Sequence, residues 1–182
     1  MNTTLKRTLS GFALIALIAP TWINAAGPAN RNLPFVVEAD NAVYTDIEQT
    51  SQFSGNVILT QGTMVIHAAN VETIVDPEGY QYATAKGGNK GLVHFRQQRE
   101  GTNEWIDAYG EELIYDGKQN LIHLRRKAIM RRLSPAGKLI DEIKGDELVY
   151  NQLTEVFESK AVPGVSGRTK VIITPNSNAS QK

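Results

Sequence analysis

The sequence predicts an all-β fold on three observations. Short runs of alternating apolar and polar residues recur along the chain. Clusters of Gly, Pro, Asn and Asp separate them. No stretch of a dozen residues carries an apolar stripe at helical period. At 182 residues the chain is long enough for one domain with a substantial hydrophobic core.

In chain order, the strand signals begin with "FVVEA" (35–39), where Phe35, Val37 and Ala39 share one side against Glu38 and Asp40. "NVILT" (56–60) places Val57 and Leu59 together, and the turn "TQGT" leads into "MVIHA" (64–68), with Met64, Ile66 and Ala68 opposed to His67. After "DPEG" and "KGGNKG" come "LVHFR" (92–96) and "WIDAY" (105–109). In the first of these, Val93 and Phe95 oppose His94 and Arg96. "YDGK" precedes "LIHLR" (121–125), where Ile122 and Leu124 oppose His123 and Arg125. "SPAG" precedes "ELVYN" (147–151), and "VPGV" precedes "KVIIT" (170–174). Successive strand residues point to opposite faces, so these strings build an apolar inner wall and a polar outer one.

A repeat underlies the pattern. "FVVEADNAVY" (35–44), "MVIHAANVET" (64–73), "IDAYGEELIY" (106–115) and "DEIKGDELVY" (141–150) align with a small residue at the fifth place: Ala39, Ala68, Gly110 and Gly145. The next place is Asp40, Ala69, Glu111 or Asp146, acidic in three of the four, and the eighth is apolar throughout. A small residue followed by an acid between two short strands suits a sharp bend in the chain with the acid turned to water.

The two ends read differently. Residues 1–26 have a basic start (Lys6, Arg7), an apolar run from about Leu9 to Ala19 and a small-residue exit at Ala25–Ala26, the layout of a cleaved secretory signal; an uncleaved anchor is the alternative. Residues 27–33 read as a flexible lead-in, 34–174 as the β-domain, and 175–182 as a loose polar tail. Removing the leader takes away two bases and no acid, which leaves 17 basic and 19 acidic residues and a net charge of about −2. That balance argues against a dedicated nucleic-acid binder. There are no cysteines, so an exported chain must hold itself together by its core or by partner contacts, and a signal of this type points to the periplasm.

An enzyme should leave a constellation of reactive groups, and none is legible. His67, His94 and His123 lie in separate strands on the polar face, without metal-ligand spacing. No G-x-S-x-G elbow occurs, and "GGNKG" (87–91) precedes no helix. The acid doublets Glu111-Glu112, Asp141-Glu142 and Asp146-Glu147 point apart within their strands and recur with the repeat, which fits corners better than glycosidase chemistry. The sequence thus predicts no catalytic residues, metal or cofactor. The basic stretch "LRRKAIMRRL" (124–133) reads as a solvated outer face or a protected edge. A sharper alternative is a rim in which Arg125, Arg126, Arg131 and Arg132 meet the phosphates of a headgroup.

"PFVVEADNAVY", "FSGNVILTQGTMVIHAANV" and "KGDELVY" together resemble the OstA-like family of periplasmic lipopolysaccharide-transport proteins, over roughly Leu33 to Thr174. The resemblance implies a slightly twisted, V-shaped β-jelly-roll of two antiparallel sheets. It also implies binding of the lipid A part of lipopolysaccharide on the inner faces, and head-to-tail homo-oligomers that bridge inner and outer membranes between LptC- and LptD-type components. Family lipid contacts carry over to Phe35, Val37 and Phe95. Parity adds Val57, Leu59, Met64, Ile66, Val93, Ile122 and Leu124 to the same wall. "LPFVVEA" and "RTKVIITP" are the expected joining ends. The loops around "KGGNKGLVHFRQQREGTNEW" depart from the family in length. Two rivals stay open: a structural β-domain whose apolar wall is sealed core, and an enzyme acting on an envelope polysaccharide.

Overall fold

In the computed structural model, residues 33–88, 91–99, 101–160 and 167–174 are described. The expected leader, most of the lead-in and the tail from 175 lie outside them. Twelve strands are present among the described residues: β1 (Val36–Glu38), β2 (Asn41–Thr45), β3 (Thr50–Gln61), β4 (Met64–Val75), β5 (Gln81–Lys86), β6 (Val93–Gln98), β7 (Trp105–Gly110), β8 (Glu112–Asp116), β9 (Leu121–Leu133), β10 (Leu139–Asn151), β11 (Val156–Lys160) and β12 (Lys170–Ile173). All pairings are antiparallel.

Four strands, β3, β4, β9 and β10, run the full width of the molecule and bend in the middle. The others pair up end to end, as β1/β2, β5/β6, β7/β8 and β11/β12. The result is eight passes in chain order, each turning a corner from one layer to the other. One layer has the order β2-β3-β4-β5-β8-β9-β10-β11, the other β1-β3-β4-β6-β7-β9-β10-β12. The twelve strands are therefore one hydrogen-bonded sheet folded along a spine into a V, the antiparallel two-layer architecture that the resemblance implies.

The sequence repeat is the set of odd passes. Its four windows coincide with β1/β2, β4, β7/β8 and the bend of β10, which all run in the same direction across the spine. The small residue sits at the bend because space is short there. A Cβ on Gly110 would lie 3.3 Å from the carbonyl oxygens of both Arg125 and Glu112, and one on Gly145 would lie 2.8 Å from Ser159 Oγ. The following acid ties its corner to the next pass. Asn56 Nδ2 donates to Asp40 Oδ2 at 2.9 Å, and Glu111 accepts from Arg126 Nε at 3.1 Å and pairs with Lys127 at 2.6 Å. Even passes turn by a different device, left-handed residues: Gly55 and Asn56 (φ 81° and 46°) in β3, Arg126 and Lys127 (φ 58° and 52°) in β9.

Inward-facing residues line up in rows across the passes, because cross-strand partners share a face. In one layer the row is Val37, Leu59, Ile66, Phe95, Ala108, Met130, Ile143 and Val171. In the other it is Ala42, Phe53, Val71, Ala85, Leu113, Leu124 and Leu148, with a second row holding Tyr44, Ala83, Tyr115, Ile122, Tyr150 and Phe157. The two walls meet over the middle passes and form the core.

Candidate functional site

The space between the two layers is lined by the rows just described, and it is not equally filled along its length. Over the middle passes Leu59, Ile66, Val93, Phe95, Ile122 and Leu124 are 0 % exposed, and Val57 and Met64 are 1 % exposed, so the molecule's own side chains occupy the trough. Phe35 and Val37, at the first pass, are half-buried against this cluster. The parity reading thus places all ten expected lining residues on inner walls. Eight of them are closed off, and two are near an open end.

The other end is wider. Beyond β9 the walls diverge around a cavity of about 610 Å³ lined by Met130, Ile143, Phe157, Val171 and Ile173. Ile173 is 75 % exposed, far above what a sealed core tolerates. The cavity is therefore an apolar bed open to solvent, bordered by Arg99, Arg131 and Arg132 together with the carboxylates of Asp141, Glu142 and Glu155.

Along the margins away from the spine, polar groups fasten one layer to the other. Gln152, in the turn after β10, donates from Nε2 to Gln97 Oε1 of β6 at 2.8 Å, in a buried position. Arg99, just past β6, pairs through Nη1 with Glu104 at 2.5 Å and through Nη2 with Glu155 of the β10–β11 turn. Gln61 donates to Gln81 at 3.2 Å, and Phe35 meets Tyr115 edge to face at 5.7 Å. Burial alone would push the Arg99 guanidinium pKa down, but Glu155 and Glu104 outweigh it and hold it above its ordinary value. Two buried atoms in this margin, Arg99 Nε and Gln152 Oε1, have no hydrogen-bond partner among the described residues.

The family model for "LptA/(LptD N-terminal domain) LPS transport protein" matches residues 36–156. The chain belongs to that family. Among curated relatives, the lipopolysaccharide export system protein LptA of Escherichia coli K12 is 22% identical over 178 residues, covering 94% of this chain and 90% of the relative. The same protein of Shigella flexneri matches to the same extent. Among solved structures, LptH of Pseudomonas aeruginosa, described as the LptA-homologous periplasmic component of the lipopolysaccharide transport device, superposes with a TM-score of 0.71 at 22% identity. That match covers 81% of this chain and all of that one. The likeness establishes the shared V-shaped fold, and the matched span of this LPS transport family domain runs from β1 into β11.

Within this family domain the basic stretch does not form a single rim. Arg125 lies 3.9 Å from Glu112 and 3.8 Å from Glu147, on the outer side near the spine, and Arg126 pairs with Glu111 at the spine itself. Arg131 and Arg132 split across the two faces of β9. Arg131 is bonded to Glu142 at 2.8 Å on the outer face, and Arg132 to Asp141 on the margin of the trough. Each arginine thus faces an acid contributed by the neighbouring pass, and of the four Arg131 and Arg132 border the apolar bed. The acid doublet Glu111-Glu112 faces Arg125-Arg126 at the β8/β9 corner, and Asp141-Glu142 faces Arg131-Arg132 across β9/β10.

His94 and His123 are less solvated than their parity suggested, whereas His67 is exposed as expected. His94 Nε2 lies 2.7 Å from Asp107 Oδ1 and its ring stacks on Tyr109 at 4.5 Å, while His67 stacks beyond it at 5.9 Å. His123 lies 3.3 Å from Glu147. Sequence spacing cannot show these pairs, because they form across strands. Among the described residues no group of three or more His, Asp or Glu is placed to hold a metal ion. The margin residues Gln97, Arg99 and Gln152 escaped the sequence reading, although parity carries a signal for them: Gln97 and Arg99 continue the inward series Val93, Phe95, and Gln152 follows Tyr150.

Proposed function

We propose that this protein is a periplasmic carrier that takes the lipid A portion of lipopolysaccharide between its two layers and serves as one section of a bridge from inner to outer membrane. The observation that carries the reading is the open apolar bed of Met130, Ile143 and Phe157, continuous with inner rows that cross all eight passes. Membership of the LPS transport family supplies the cargo. Phe35, Val37, Val57, Leu59, Met64, Ile66, Val93, Phe95, Ile122 and Leu124 are the residues over which acyl chains would pass, with Arg132 at the headgroup level.

Exposing one acyl CH₂ to water costs roughly 0.8 kcal/mol, so a twelve-carbon chain costs on the order of 10 kcal/mol. An apolar row at constant spacing removes that cost at every step and makes each step nearly neutral. Because the resting trough is filled over its middle passes, cargo has to part the walls. It then exchanges side chain–side chain contacts for side chain–acyl contacts of similar strength, and the added work falls on the polar margins. Such conduction is passive and non-catalytic. Direction must come from an energy-consuming assembly at one end.

Continuity requires protomers joined end to end. The first pass presents Val36, Val43 and Tyr44, and the last presents Val156, Val171 and Ile173, all exposed, on strands whose outer edges have no partner among the described residues. Backbone pairing across such edges joins one trough to the next. The same edges suit LptC-type and LptD-type components at the two termini.

A photo-crosslinking residue at Phe35, Val37 or Phe95 in living cells tests the reading. Adducts to lipopolysaccharide are expected at Phe35 and Val37 first, since these are half-buried, and at Phe95 when transport is active. No adduct at any of the three would favour a sealed structural domain.

A further inference from the structure

The margin opposite the spine contains a fastening whose chemistry matches the cargo. Arg99 projects from one layer, is only 14 % exposed, and divides its charge between Glu104 of its own loop and Glu155 of the opposite layer. Among the described residues its Nε is buried without a hydrogen-bond partner, and so is the Oε1 of neighbouring Gln152. Arg132 adds a second guanidinium, bonded to Asp141 and 3.8 Å from the same Glu104. Both cations border the apolar bed. A guanidinium with one idle donor and two carboxylate partners on separate segments is well placed to exchange partners. A phosphate offers more acceptor oxygens than a carboxylate and takes the planar fork bidentately.

Resting on the carrier reading above, we infer that Arg99 is a cargo-operated clasp: the phosphate of an anionic amphiphile displaces Glu155 from Arg99, frees the β10–β11 turn from the opposite layer, and lets the margins part as the acyl chain enters beside Phe157 and Ile143. In the resting state the clasp keeps the apolar walls together and excludes water. An amphiphile lacking the anion finds the margin shut. The fastening thus selects for a phosphorylated headgroup and couples headgroup recognition to opening.

Uptake of dodecyl phosphate, of uncharged monolaurin and of inorganic phosphate by the full chain tests this, all below micelle-forming concentration and read by intrinsic Trp fluorescence and by calorimetry. The chain has no native cysteine, so Thr102→Cys with Thr154→Cys gives a unique pair, one on each margin, that a reducible bis-maleimide can join. Joining is expected to slow dodecyl phosphate uptake at least tenfold, and reduction to restore it. Arg99→Gln is expected to weaken dodecyl phosphate about tenfold while speeding monolaurin entry. Glu155→Gln, which keeps the cation, is expected to speed entry of both without loss of phosphate affinity. If Arg99 only holds the fold, Arg99→Gln shifts both probes in the same direction, and that result overturns the clasp. Uptake unaffected by joining the margins overturns it as well. Inorganic phosphate competing as strongly as dodecyl phosphate would make the position a free-anion site and overturn cargo operation. A wild-type protein that takes up neither amphiphile overturns the carrier reading, and the clasp with it. Wild-type uptake that ignores the variants overturns the clasp alone.

Discussion

Gln97 and Gln152 meet side chain to side chain at 2.8 Å in a buried position between the layers, although 55 residues separate them along the chain. Their amides close the margin at a point where both walls behind them are apolar. The bond therefore reports on whether the two layers are together or apart.

Replacing Gln152 by Ala removes that bond and leaves the Gln97 carbonyl without its donor. The expected loss is about 1–2 kcal/mol. Urea unfolding followed by circular dichroism should show a lower midpoint at unchanged slope, since the surface exposed on unfolding stays the same.

Phe95 is fully buried where β6 pairs with β4 and β7. Phe95→Ala is expected to cost about 3–5 kcal/mol through lost burial and the cavity left behind, measured in the same urea series. A loss below about 1 kcal/mol would mean the trough is loosely filled there.

Gly55 turns the second pass with φ of 81°, and a Cβ at that place would press on the Asp40 side chain. Gly55→Ala should destabilise by about 1–2 kcal/mol from backbone conformation alone. Gly79, also left-handed at φ 88°, has open space around its Cα, so Gly79→Ala should carry the backbone cost without the clash. The difference in midpoint between the two variants isolates the crowding at the spine.

Acid should weaken the outer face of the β6–β7–β9–β10 layer. Burial pushes the Asp107 carboxyl pKa up, but the hydrogen bonds from His94 and Tyr109 and the charge of Arg96 outweigh it and hold it below the usual carboxylate range. Glu142 is buried likewise and is held low by Arg131 and Lys144. A folded-state pKa below the unfolded one gives stability that is present above the unfolded value, about 4, and is lost as pH falls toward the folded value. Urea midpoints at pH 7 and pH 5 should be similar on this account and should drop below pH 4. Arg131→Met, which removes one of the two cationic partners of Glu142, should make that drop smaller.

End-to-end growth should depend on the last pass. Light scattering over a concentration series is expected to show a rising mean mass for the wild-type chain. Val171→Lys with Ile173→Lys, on the exposed inner face of β12, should hold it at monomer mass without changing the unfolding free energy from urea titration by more than about 0.5 kcal/mol.

The strands best read from the sequence are those in which large apolar residues alternate with charged ones: β4, β6, β7 and the start of β9. In β4, β6 and the start of β9 parity assigns the same inner and outer faces as the fold does, and the repeat is the set of spine crossings of the odd passes. β2, β5, β8 and β11 were not separated out as strands. In β5 the inward residues are Ala83 and Ala85, too small to stand out, and β2 and β8 follow so closely on a corner that each reads as the tail of its predecessor. The fastenings were invisible for a different reason. Arg99 and Glu155, or His94 and Asp107, become neighbours only through register across strands, and a sequence scan sees separation along the chain. The arginine stretch reads in the sequence as a block of positive charge on an outer face or edge; in the fold each arginine faces an acid from the adjoining pass, a pairing that only register sets.

Because every pass repeats the same bent profile, the molecule resembles an extrusion cut to length. Its axial extent is fixed by counting strands: seven gaps at about 4.8 Å give roughly 34 Å. Inserting or deleting a hairpin of two passes would change that span by about 10 Å and leave the cross-section intact, so the reach of any assembly is set by arithmetic on whole hairpins and whole copies.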